Sequence, residues 1–96
     1  MTGDSFTVTP GGPGRAGVQV TSDSRLLSYV VTVPSGVVDQ LGLGDVETVE
    51  IVRETFRFLL EREPATSIMK QFSLDVVPTY FPEFYDELVT RLKGSS

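Results

Sequence analysis

Leu26-Leu27-Ser28-Tyr29-Val30-Val31-Thr32-Val33-Pro34-Ser35 carries the switch from strand to helix in this chain. Its odd positions Leu27, Tyr29, Val31 and Val33 are uniformly apolar, whereas Leu26, Ser28, Val30 and Thr32 are mixed. That period of two, in a run rich in β-branched residues, predicts a strand with one buried face. Upstream, Val18-Gln19-Val20-Thr21 alternates in the same way, and Ser22-Asp23-Ser24 supplies turn residues between the two runs. An antiparallel hairpin over residues 17–33 follows. The turn holds no Asn-Gly or Asp-Gly pair, so the pattern leaves its register open. Phe6-Thr7-Val8-Thr9 alternates too and predicts a further short strand. Pro10-Gly11-Gly12-Pro13-Gly14 behind it sustains neither a helix nor a central strand. Residues 1–16 are therefore expected to form a flexible or loosely attached strand and loop.

On the other side of Pro34 the period changes. Ser35 offers an N-cap for a short helix to Leu41, and Gly42-Leu43 suits a Schellman stop. Asp45 offers the next cap, with Glu47 in a favourable first turn. Val49, Val52, Phe56, Leu59 and Leu60 then recur at three- and four-residue steps, predicting a long helix over Val46 to Glu63 that Pro64 closes. Arg57 and Glu61 are spaced for an expected i,i+4 pair on its outer face. Ile51 and Phe58 widen the apolar stripe beyond one contact surface, and they are the expected dimer-interface residues. Thr66 caps an expected turn or two containing Ile68, Met69 and Phe72; a single turn is expected around Asp75 to Pro78. Pro82 suits the first position of a last helix to about Leu92, followed by a frayed Gly94-Ser95-Ser96 tail. The expected architecture is a single α+β domain over residues 1–96. It comprises an N-terminal β-hairpin or three-stranded antiparallel meander, one long central helix, and shorter C-terminal helices.

Composition narrows the chemistry. The chain has 96 residues with no Cys, no His and no Trp. It therefore lacks a thiolate nucleophile, the side chain most used as a general base near neutral pH, and the commonest transition-metal ligand. No enzyme activity, metal or cofactor is expected. With 13 acidic and 8 basic side chains the net charge is −5. Both halves are acidic: residues 1–48 hold 5 acids and 2 bases, residues 49–96 hold 8 and 6. That balance argues against nucleic-acid binding by bulk electrostatics without excluding it. No apolar run approaches the roughly 20 residues of a membrane span. Met1-Thr2-Gly3-Asp4 shows neither a basic nor an apolar leader region, so a cytoplasmic protein without a membrane role is expected.

Several motifs have plain readings. Gly11-Gly12-Pro13-Gly14 lacks the Gly-Lys-Ser/Thr ending and following helix of a phosphate loop. Ser67-Ile68-Met69-Lys70 matches Ser-x-x-Lys formally but has no companion elements. Glu83, Asp86 and Glu87 could serve acid/base or Ca²⁺ chemistry only with convergent geometry; at the start of an amphipathic helix they favour its N-terminus as a solvated face. The aromatic cluster is more informative. Phe72, Tyr80, Phe81, Phe84 and Tyr85 crowd the last quarter of a small chain. They either pin the C-terminal helix to the core or present a partner surface, since Tyr is favoured at interfaces. The leading expectation is a small acidic interaction or regulatory protein. Its expected partner-binding residues are Phe72, Tyr80, Phe84 and Tyr85 with Glu83, Asp86 and Glu87, meeting an unidentified protein partner.

One family resemblance bears on the alternative. Tyr29-Val30-Val31-Thr32-Val33-Pro34, the Val37-Val38-Asp39-Gln40-Leu41 helix, and Val49 through Leu60 together resemble the ribbon-helix-helix family of bacterial regulators and antitoxins. The resemblance covers about residues 28–63. It implies a homodimeric fold and a DNA-binding regulator or antitoxin, with Ser28, Val30 and Thr32 on the strand that reads DNA.

Overall fold

The computed structural model describes residues 5–22 and 24–93. Three antiparallel strands, β1 (Ser5–Pro10), β2 (Arg15–Ser22) and β3 (Arg25–Thr32), form the expected meander. Alternation sets which side chains enter the core: Val18, Val20, Tyr29 and Val31 are buried, while Thr7, Gln19, Ser28 and Val30 lie on the exposed face. The register left open by the sequence closes as Ser22 opposite Arg25, with Ser24 in the left-handed region at φ 65°. Ser28, Val30 and Thr32 all pair with β2, and Val30 and Thr32 are also paired on the other edge by β4 (Gln71–Ser73).

Part of the expected amino-terminal strand and loop is described, from Ser5 onward. Residues 5–10 pair with β2 along their full length, and the Phe6 ring lies 6.1 Å from that of Phe56. The Gly/Pro loop is a pinned turn. Gly11 N–H donates to the Arg15 carbonyl (3.1 Å), and Val33 N–H donates to the Gly14 carbonyl (2.7 Å), tying the turn to the end of β3. Gly14 has φ 70°, and a Cβ there would come within 3.1 Å of the Val33 oxygen, so only glycine suits the position. Residues 1–4 and the tail 94–96 lie outside the described residues.

Helix α1 (Ser35–Leu41) ends as expected: Gly42 takes φ 70°, Leu43 N–H bonds the Val38 carbonyl at 2.9 Å, and the Leu43 side chain is buried. Its N-cap is Pro34 rather than Ser35, without a side-chain bond. Helix α2 (Thr48–Arg62) starts two residues later than expected, with Glu47 rather than Asp45 at the cap. It lies against β1 and β2 on one flank and against α4 (Phe84–Lys93) on the other. Phe56 faces Tyr29 and Phe72, at ring separations of 5.1 and 6.1 Å, and Phe58 faces Phe81 and Phe84, at 5.8 and 5.1 Å. Buried Thr55 donates its hydroxyl to the Ile51 carbonyl (2.8 Å), so no polar group is stranded there.

The segment expected as a helical turn around Ile68 and Phe72 is instead a 3-10 turn (Ala65–Ser67) followed by β4, which pairs parallel with β3. Val30 N–H donates to the Lys70 carbonyl at 2.8 Å, and the Tyr29 hydroxyl donates to the Ala65 carbonyl at 2.6 Å, fastening this return to the sheet. A second 3-10 turn (Leu74–Val76) leads into α3 (Val77–Tyr80), where Pro78 sits in the first turn.

Candidate binding cleft

Pro64 and Pro78 bracket the segment that shapes the cleft. The first ends α2 at its C-terminal turn; the second starts α3, and between them the chain must cross to the sheet edge. The space left between the end of α2, the crossing segment, β4 and α3 is a cleft of about 250 Å³. Leu59, Ile68, Phe72 and Val77 are buried side chains that line it. Met69 and Tyr80 stand at its margin, 49% and 64% exposed, and Glu63 and Ser67 supply its polar groups. Two large apolar side chains left half-wet beside an apolar floor differ from scattered surface residues, because a single docked group would dry both at once.

The expected partner residues divide. Phe72 and Tyr80 both reach the cleft, one in its floor and one on its margin. Phe84 corrects the expectation of a surface residue: it is fully buried against Phe58, because α4 must cover the second flank of α2. Tyr85 is half-buried beside Phe84 (5.7 Å), and burial, with a smaller contribution from the Asp75 charge, raises its phenol pKa. Glu83 and Asp86 are exposed and Glu87 is half-buried; Glu83 lies 3.3 Å from Arg62 and Glu87 lies 3.5 Å from Arg91. Ile51 and Phe58, expected at a dimer interface, are each 1% exposed and covered by their own chain, so neither offers a surface to a second copy. Among the described residues no group of three acidic side chains could hold a metal ion.

Of the residues lining the cleft, sequence reading placed only Phe72 and Tyr80 at a binding surface, and missed among others Leu59, Glu63, Ile68, Met69 and Val77. Met69 carried the one usable signal, an apolar side chain beside a charge in a segment without helical or strand period.

An ion-pair cluster holds α4 to α2. Arg91 reaches Glu61 at 2.7 Å, Glu87 at 3.5 Å and Glu54 at 3.9 Å, and the Arg62 guanidinium lies 3.7 Å above the Phe58 ring. The hydrogen bond from Arg91 holds the Glu61 carboxyl below its ordinary 4.5, against an opposing desolvation effect. A depressed carboxyl contributes stability that is present above its unfolded value and lost as pH falls through the folded one. Wild type is therefore expected to exceed Glu61→Gln at neutral pH by less than about 1 kcal/mol, as an exposed pair should. The difference should vanish on acidification below pH 4.5, read by urea unfolding at several pH values. A pH-independent difference would detach Glu61 from the clamp.

Among the described residues no helix is long and apolar enough to cross a membrane. Compared with known protein families, curated proteins and solved structures, the chain finds no match.

Proposed function

We propose that this chain is a non-enzymatic protein-interaction or regulatory protein, working in the cytoplasm, whose partner-binding site is the cleft between α2, β4 and α3. The observation that carries the reading is the pair Met69 and Tyr80, both large and exposed, over a floor of buried Leu59, Ile68 and Phe72. The cleft volume, about 250 Å³, falls below the ~300–1,000 Å³ usual for small-molecule sites. It suits one or two side chains of a protein partner better than a free metabolite. The chain's lack of His and Cys supports a binding role over a catalytic one.

Affinity capture from extracts of the source organism, comparing wild type with Tyr80→Ala and Met69→Ala, tests the reading. Both side chains are exposed, so both variants should unfold within about 1 kcal/mol of wild type. If the cleft is the site, Tyr80→Ala should retain at least about tenfold less of the partner, as truncating an interfacial anchor does. Equal capture by wild type and both variants would refute the assignment.

A further inference from the structure

The cleft opens beside a sheet edge. In the strand order β1-β2-β3-β4, β4 is terminal, and its inward side chain Phe72 is also a wall of the cleft. The Lys70 carbonyl accepts from Val30, so strand alternation turns Phe72 toward β3 and points the backbone groups of Gln71 and Ser73 toward the open edge. An exposed strand edge with a side-chain pocket beside it is the arrangement used for strand addition. In that mode main-chain bonds hold an extended peptide while alternate side chains enter pockets. The opposite edge, β1, ends in Pro10, and none of its residues lines this cleft.

Size and charge identify the occupant. A helix laid in a groove needs anchors at i, i+3 or i+4 and i+7, which a cleft of about 250 Å³ does not accommodate. Glu63 is the one charged residue lining the cleft, and among the described residues it has no ion-pair partner, unlike Glu54, Glu61, Glu83 and Glu87. An acidic chain of net charge −5 with an unpaired carboxylate at the mouth of an apolar cleft complements a basic segment.

We propose that the cleft takes an extended peptide segment of a partner protein, adding as a fifth strand beside β4, with one large apolar side chain seated between Met69 and Tyr80 and a Lys or Arg against Glu63. This rests on the reading of the cleft as the binding site.

Selection of a phage-displayed random linear peptide library on the full chain is the test. Enriched peptides should carry a large apolar residue with Lys or Arg within two positions. A synthetic peptide of the selected sequence should shift the Met69 and Tyr80 NMR signals and slow amide exchange at Gln71 and Ser73. N-methylation at alternate peptide amides should weaken binding at least about tenfold, since each blocks a ladder bond. Glu63→Gln should weaken it about threefold, as loss of a partly solvated pair does. Peptides that shift Met69 and Tyr80 but tolerate every N-methylation would overturn strand addition while leaving the cleft as the site. Peptides bound equally by Tyr80→Ala would overturn both. A library that yields nothing, or a concentration-dependent dimer abolished by Tyr80→Asp in light scattering, would also overturn the proposal, the latter assigning the cleft to a second copy.

Discussion

Phe56→Ala is expected to destabilise the protein by about 3–5 kcal/mol, the usual loss for emptying a buried phenylalanine site. The residue is 0% exposed, and its ring meets Phe6 of β1, Tyr29 of β3 and Phe72 of β4. One truncation therefore removes contacts from three of the four strands at once. Domains of this size are stable by only about 5–15 kcal/mol, and each kcal/mol moves the melting temperature about 4–8 °C. Circular dichroism melting should show a large drop, or no cooperative transition at all. Phe56→Leu, which keeps most of the volume, should cost much less. A melting temperature unchanged in Phe56→Ala would mean that α2 does not rest on the sheet in this way. Because Phe72 leans on Phe56 and lines the cleft, peptide binding should fall together with stability.

Phe84→Ala should cost a similar ~3–5 kcal/mol, in contrast to exposed Tyr80, four residues earlier. Phe84 is fully buried and packs edge-on against Phe58, and Leu88 one turn later is buried with it. These two side chains hold α4 to the outer flank of α2. Equilibrium urea unfolding of the two variants separates the roles: a severe loss for Phe84→Ala and near-wild-type stability for Tyr80→Ala. A Phe84→Ala variant that stayed within 1 kcal/mol of wild type while losing its partner would move Phe84 from the core to the interface.

The contrast between Phe84 and Tyr80 also shows where sequence reading stops. Periodicity reports which side chains share a face, but not what covers that face. Phe56 and Phe58 are two residues apart, so on a helix they point about 200° apart, and both being apolar means two covered flanks. The sheet covers the first. For the second, α4 of the same chain and a second subunit satisfy the same apolar pattern equally well, and only the packed chain distinguishes them. β4 is hidden for a different reason. Three residues are too few to show alternation, and they become a strand because the free edge of β3 lies beside them with unpaired backbone groups.

What local chemistry determined, then, is the succession of elements. Alternating β-branched runs made the meander, Pro34 ended it, Gly42 stopped α1 in a left-handed turn, and the three-four spacing from Val49 to Leu60 made α2. Each depends on backbone conformation and side-chain spacing within a few residues, which are properties of the sequence alone. Tertiary structure decided the rest: the register of the β2–β3 hairpin, the parallel return of β4, the burial of Ile51, Phe58 and Phe84, and the cleft. Those features arise between segments distant along the chain, where the outcome depends on which apolar surfaces reach each other first-hand in space and which, like Met69 and Tyr80, are left over.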